Sequence, residues 1–200
     1  MKPFPLALLA ILFFSCKNHG STPEKTIPGP KTDSVITAQD FFPVADFIGG
    51  QVKMIDSLQL PLSKSVTINN KTKLEAVTDQ EFKSLALNFS QPDINAPGLK
   101  IKYKETSIAD QSIPSVTLTY STADTSLQVQ KISVFIKPDP VANDKVNAIY
   151  IEKLFTKGDT IFNQKLYWKT GKNFQITTEK KTGGKLLPVE QVKVIWDPVE

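Results

Sequence analysis

The residues able to carry out acid–base, nucleophilic or metal chemistry are few in this chain. Its 200 residues include one cysteine, Cys16, and one histidine, His19. A Ser-His-Asp or Cys-His arrangement needs an imidazole, and a zinc site needs several Cys or His ligands, so neither is supported. The sequence still allows catalysis by a lysine base or by a pair of carboxylates. An enzyme is therefore kept as the third hypothesis, after a binding module and a ligand carrier. We therefore expect a protein that is not an enzyme, with no catalytic residues, no cofactor and no metal.

Several acidic residues could form a functional site, but their positions in predicted helices and turns also explain why they are acidic. Asp79 and Glu81 fall in the first turn of a predicted helix, where the helix dipole favours negative charge. Five further aspartates fall in predicted loops and turns, which favour Asp because its side chain bonds the nearby backbone: Asp110, Asp124, Asp139, Asp144 and Asp159.

Two groups of lysines could bind an anionic lipid or a polysaccharide. Lys100, Lys102 and Lys104 are predicted to line one face of a strand, and the other group, Lys180, Lys181 and Lys185, lies at a turn. A solvated strand face and a solvated turn are the alternative interpretation. All 24 basic residues are lysine, and a chain without arginine lacks the side chain that binds phosphates and guanine edges in bidentate fashion. We expect no nucleic-acid partner.

The first sixteen residues indicate the cellular location of the protein. Lys2 precedes an apolar run from Phe4 to Phe14, which is shorter than the ~20 residues of a membrane-spanning helix and has the length of a signal-peptide core. The run ends at Ser15-Cys16. This segment resembles the lipobox of bacterial lipoproteins, in particular those of Bacteroidota, with Phe13 where the family usually has leucine.

The resemblance implies that Cys16 carries a diacylglyceryl group on its sulfur, that cleavage follows Ser15, and that the new amino terminus is acylated. The membrane would then be a partner through lipidated Cys16. An ordinary secretory signal with a free thiol is the alternative. Because Lys17 and its neighbours lack the acidic residues typical of surface-exposed lipoproteins, the resemblance favours an outer-membrane anchor facing the periplasm.

Composition then divides the chain into three parts. Residues 1–15 are predicted to be the signal peptide, and residues 16–37 the lipidated cysteine with a flexible linker rich in Pro, Gly, Ser and Thr. The linker has a mean reach of about 25 Å. Residues 38–200 should form a single domain, since 40% hydrophobic and 22% charged residues are typical of folded proteins.

Two helices are predicted in this domain. Apolar residues recur at helical spacing from Asp40, a candidate N-cap, to Leu58. Gly49-Gly50 interrupts that helix and predicts either close backbone packing or a bend, with a ligand site as the weaker alternative. Thr78 to Glu81 form a capping box that starts the second helix, which stops before Pro92.

Most of the remaining domain alternates between apolar and polar residues, as half-buried strands do. A bulge is expected near Gln130 or Lys131, where the apolar phase shifts. Trp168 and Trp196 are in phase with apolar strand positions and should lie in the core. The predicted strands cover residues 65–69, 73–77, 99–104, 116–121, 127–136, 146–156, 161–169, 174–179 and 189–196.

These elements predict an α+β fold, with two helices packed on a curved antiparallel meander of about six to nine strands. The function expected is that of a membrane-anchored envelope lipoprotein, a non-catalytic binding or accessory module for a protein or glycan partner. The order of elements also resembles the half-barrel carriers of the LolA and LolB kind. By that fold analogy alone, the alternative is a carrier of lipid or another apolar ligand.

Overall fold

The computed structural model of the chain describes residues 40–110, 112, 114–139 and 144–196. These residues belong to one compact unit, Ala38–Glu200. They form two helices and a ten-stranded antiparallel sheet, which confirms the α+β class and the meander. The strand count is slightly above the range of six to nine. The predictions for the signal peptide, Cys16, His19 and most of the linker lie outside the described residues.

The elements follow one another along the chain as two helices among ten strands. The helices are α1 (Val44–Ser57) and α2 (Asp79–Ser90), with a short 3-10 helix at Lys100–Lys102. The strands are β1 (Ser63–Ile68), β2 (Lys71–Glu75), β3 (Lys104–Asp110), β4 (Ser115–Ser121), β5 (Val129–Lys137), β6 (Lys145–Lys157), β7 (Thr160–Lys169), β8 (Asn173–Thr182), β9 (Lys185–Leu186) and β10 (Glu190–Ile195).

The sheet has the order β2-β1-β10-β8-β7-β6-β5-β4-β3, and β9 pairs with β8 beside this path. From β3 to β8 each strand pairs with the next one along the chain, so this part is the expected meander. β10 then joins β8 to the β1–β2 hairpin. The two edges of the sheet are therefore β2 and β3.

One row of side chains across the sheet forms the centre of the core. Because antiparallel partners point to the same face, the register places five buried residues side by side on the face that carries the helices: Val134, Ile149, Trp168, Phe174 and Val194. Trp196 is buried as well, so the core prediction for both tryptophans is confirmed.

The second helix covers this row with two phenylalanines. The Phe82 ring lies 5.9 Å from that of Phe174, and the Phe89 ring lies 5.2 Å from that of Trp168. The predicted N-cap is confirmed, since the Thr78 hydroxyl accepts from the Glu81 N–H at 3.2 Å. The Glu81 carboxylate, however, lies 2.5 Å from Lys64 Nζ on β1, which fixes the start of α2 to the sheet.

The first helix begins later than predicted. Pro43 occupies the N-cap position without a side-chain cap, and the predicted cap, Asp40, lies 2.6 Å from Lys100 Nζ instead. The preceding residues are held by the sheet, because the Phe42 N–H donates to the Tyr120 hydroxyl at 3.0 Å. The helix begins at Val44, two residues after this contact. Leu58, predicted on its apolar face, lies beyond the helix end and is exposed.

The prediction of a strand at residues 99–104 is wrong. Lys100–Lys102 form a 3-10 helix, and the strand begins at Lys104. Local backbone bonds satisfy this segment, including Leu99 N–H to the Ala96 carbonyl at 3.0 Å. Ile101, expected to face the core, is 87% exposed, whereas the buried Tyr103 hydroxyl donates to the Val129 carbonyl at 2.7 Å.

The local irregularities agree with the sequence more closely. The register of β5 against β6 shifts between Val129 and Lys131, which confirms the predicted bulge. The β1–β2 hairpin is present as well. Its turn lies at Asn69 and Asn70, slightly earlier than residues 70–72, which separate the two predicted strands. Both asparagines have positive φ (50° and 60°), which asparagine tolerates better than most residues.

Candidate binding site

A surface groove between α1 and α2 is the main candidate site. Its volume is about 360 Å³, within the range of small-ligand sites. The floor includes Ile48 and Ala86, which are both buried in the core, and Val52, which is half-buried. The complete lining consists of Ile48, Gly49, Val52, Gln80, Lys83, Ser84, Ala86, Leu87 and Ser90.

Gly49 stands in the middle of α1 for no reason of packing. A Cβ atom built on Gly49, or on its neighbour Gly50, would meet no atom within 4 Å, apart from the neighbouring residues and the helix backbone. Neither glycine has a positive φ. The predicted close backbone approach is therefore wrong. In a helix interior each glycine costs about 1 kcal/mol relative to alanine. Gly49 lines the groove, and a Cβ atom there would meet open space.

The rim of the groove is polar. Gln80, Ser84 and Ser90 lie along α2, and Lys83 Nζ makes an ion pair with Asp56 of α1 at 3.0 Å. Both members of this pair are about half exposed, so they mark the edge of the groove rather than a buried charge. Leu87 is exposed beside them. The groove can therefore bind an apolar group, with the Lys83–Asp56 ion pair at its edge.

Lys153 is a feature that the sequence analysis missed. This residue of β6 is only 2% exposed, and its ammonium donates to the carbonyl oxygens of Asn88 and Gln91 at the end of α2. The last carbonyls of a helix have no intrahelical partner, and a cation near them opposes the helix dipole. Lys153 thus fixes the carboxyl end of α2 to the sheet, as Lys64 fixes its start.

Burial lowers the pKa of Lys153 to about 8. The amine lines a polar cavity of about 350 Å³ with Ser84, Leu87, Asn88, Gln91, Pro92 and Gln128. A signal for it exists in the sequence. Lys153 follows Ile149 and Ile151 at a spacing of two and therefore occupies an inward position of a strand, where a lysine needs buried acceptors. Its hydrogen bonds account for the amine as a structural group.

The other residues singled out in the sequence lie apart from the groove. Lys100 pairs with Asp40, and Lys102 lies 3.6 Å from Asp124, so the prediction that Lys100, Lys102 and Lys104 line one strand face is wrong. Lys100 and Lys102 lie in the 3-10 helix and only Lys104 lies in a strand, so the three residues do not share one strand. Lys181 and Lys185 are exposed at the β8–β9 turn, and Lys180 pairs with Glu190 at 2.7 Å.

Three of the five turn aspartates make the expected local bonds. Asp110 accepts from the N–H and hydroxyl of Ser112, and Asp124 accepts from the same two groups of Ser126. The Ser126 bonds hold the pKa of Asp124 below its usual value. Asp144 accepts from the Asp139 N–H at 3.3 Å. Within the described ranges, no group of three or more His, Cys, Asp or Glu residues is placed to hold a metal ion.

The same described ranges contain no helix that is both long and apolar enough to span a membrane. Comparison with known protein families, with curated proteins and with solved structures finds no match for this chain.

Proposed function

We propose that this chain is a lipid-anchored module of the bacterial cell envelope, which binds an amphipathic helix of a partner protein in the groove between α1 and α2. The anchor is Cys16 on the outer membrane, facing the periplasm. The observation that carries the binding proposal is Gly49, whose missing side chain keeps an apolar groove open at the expense of helix stability.

The form of the groove favours a helix. An apolar floor with a polar rim is the usual arrangement of a protein interface, and an amphipathic helix can place its apolar face on Val52 and Ala86 while its polar residues meet Gln80 and Lys83. On the α2 side the groove runs from Gln80 to Ser90, about 15 Å, which is enough to contact about three turns of a partner helix.

A site-specific crosslinking experiment in cells tests this proposal. A photo-crosslinking amino acid replaces Leu87 at the groove, and the adduct is identified by mass spectrometry. We expect one discrete protein adduct, formed through an amphipathic segment of the partner. The Gly49→Leu variant fills the groove and should abolish the adduct. Gly50→Leu is the matched control, because Gly50 also lies in α1 with open space around it but does not line the groove.

Adduct formation that survives Gly49→Leu would contradict the proposal, and so would the absence of any adduct. Both variants replace a helical glycine with a better helix former, so we expect both proteins to remain folded. The crosslinked peptide of the partner shows directly whether an amphipathic helix occupies the groove.

The apolar floor also favours a second candidate, a carrier of a fatty acyl chain. A chain of this kind would occupy the same groove, because the helix-bearing face of the sheet is filled by its own side chains from Val134 to Val194. Titration with a fluorescent fatty acid separates the two functions. Saturable binding that Gly49→Leu removes and Gly50→Leu retains would favour the carrier.

A further inference from the structure

Aliphatic side chains are exposed among lysines where β7 begins, where β8 ends and along the short strand β9. We call this region the sheet tip and define it by its apolar residues, Ile161, Leu186, Leu187 and Val189, and by Lys157, Lys181 and Lys185. All seven residues are exposed. Single exposed aliphatic residues are common on protein surfaces, whereas several close together are typical of an interaction site. Here four lie within one short region of three strands and the loop after β9.

The strand register shows how the patch is built. Ile161 pairs with Lys181, and Lys181 pairs with Leu186, so the three side chains lie side by side on one face of three neighbouring strands. Leu186 is 76% exposed. The row therefore presents a lysine between two aliphatic side chains, and its members make no contribution to the core on the other face.

Charge at the sheet tip favours an anionic partner. Lys157, Lys181 and Lys185 are exposed there, and the acidic residues beside them are few. Glu190 is paired with Lys180 at 2.7 Å, and Glu179 accepts from the Asn163 amide at 3.0 Å. Asp159 remains in the turn next to Lys157. By the strand register, only Lys181 shares the face of Ile161 and Leu186, whereas Lys157 and Lys185 lie in the next row, with Thr160 and Thr182, on the opposite face. The three lysines thus place positive charge on both faces of the tip.

We infer that the sheet tip docks on the anionic phospholipid surface of the membrane to which the chain is anchored. Aliphatic side chains that enter the headgroup region, with lysines beside them, are the combination that binds such surfaces. The docking rests on the proposed anchor at Cys16. Residues 17–39 join that cysteine to the first described residue, and a tether of this length keeps the tip at a high effective concentration near the bilayer.

The test uses the mature lipoprotein, reconstituted into vesicles and recovered by flotation. Acylation blocks the thiol of Cys16, the chain's only cysteine, so a new cysteine can be labelled alone. The variant Leu186→Cys carries an environment-sensitive fluorophore at the tip. The matched control is Leu74→Cys, which lies on the edge strand β2 and is 80% exposed. Nitroxide-labelled lipids then report contact of either fluorophore with the bilayer.

We expect the fluorophore at position 186 to be quenched in vesicles that contain phosphatidylglycerol, and to be quenched far less in phosphatidylcholine alone. The label at position 74 should be quenched little in both. Lys181→Gln and Lys185→Gln should each lower the ratio of docked to undocked protein about fivefold, and added salt should act in the same direction.

Equal quenching at positions 186 and 74 would overturn the inference, as would quenching at position 186 that does not depend on phosphatidylglycerol. Failure of the protein to float with the vesicles would show that the anchor is absent, and docking, which rests on it, would then fall too. Flotation and quenching are read separately, so the two failures are distinguishable.

Discussion

Lys153 on β6 donates its ammonium to the carbonyl oxygen of Gln91, the residue that follows α2. The apolar face of the same helix is held by Phe82 and Phe89, whose rings lie against Phe174 and Trp168. The end of α2 thus depends on a buried charge, and its middle depends on aromatic packing. These two kinds of contact should respond differently to pH and to substitution.

The buried amine predicts that stability increases with pH. The pKa of Lys153 is about 8 in the folded protein and 10.5 in the unfolded chain. Between these values the unfolded chain binds more protons, so the free energy of unfolding rises with pH. The gain from this group between pH 7 and pH 9.5 should be about 2 kcal/mol. Urea denaturation at a series of pH values measures it.

Lys153→Met is the control for that series, because methionine is similar in length and does not titrate. The variant should lack the increase, whatever its stability at pH 7. Burial raises the pKa of Tyr103 and of Tyr150 from 10.0 to about 12, so both stay protonated in the folded protein over this range. Their effect is common to the wild type and the variant. Equal pH slopes for wild type and variant would show that the amine titrates normally.

The second helix allows a comparison of a cap with a core residue. Thr78→Ala removes the hydroxyl that accepts from Glu81 N–H and should cost about 1 kcal/mol. Phe82→Ala opens a cavity beside Phe174 and Trp196 and should cost about 3–5 kcal/mol. The midpoints of denaturant unfolding of the two variants measure this difference. If the Phe82 variant is no less stable than the cap variant, α2 does not cover the sheet as described.

The sequence predicts those parts of the fold that have a strong periodic signal. The alternation that places Trp168 and Phe174 in the core, the cap at Thr78 and the bulge after Val129 are all local patterns, and each is confirmed. The alternating residues 99–104 gave a wrong strand. There, local backbone bonds and the burial of Tyr103 outweigh a pattern of period two.

The groove and the Lys153 contact could not be predicted in the same way. Both arise where two elements distant in the chain meet, and no periodic pattern reports which helix residues face each other. Lys153 bonds carbonyl oxygens more than 60 residues earlier in the chain. Gly49 was noticed in the sequence, but only the structure distinguishes a glycine that permits close packing from one that leaves a groove open.

The proposed anchor predicts where the protein fractionates. Cys16→Ser removes the proposed acceptor of a diacylglyceryl group, so the protein should move from the detergent-soluble membrane fraction to the soluble periplasmic fraction with its domain still folded. Membrane retention as strong as that of the wild type would rule out the lipobox assignment. Protease added to whole cells tests orientation, because cleavage between Lys17 and Thr37 would show a surface-exposed tether instead of a periplasmic one.

Gly49 and Gly50 predict a gain of stability on substitution. Alanine at either position enters open space in a helix, so Gly49→Ala and Gly50→Ala should each raise the free energy of unfolding by about 1 kcal/mol. The midpoint of urea unfolding measures this gain, provided that the m-value is unchanged. Gly184→Ala serves as the opposite control, since its φ of +80° lies in the left-handed region and alanine should destabilise the turn there.

A loss of stability in Gly49→Ala comparable to that in Gly184→Ala would reveal a backbone constraint in α1, and the groove would no longer explain the glycine. A gain in both α1 variants would show that folding requires neither glycine, and the crosslinking experiment would then test whether binding requires Gly49. In that case the larger Gly49→Leu change should preserve folding and remove the crosslinked partner, while Gly50→Leu preserves both, because Gly49 lines the groove and Gly50 does not.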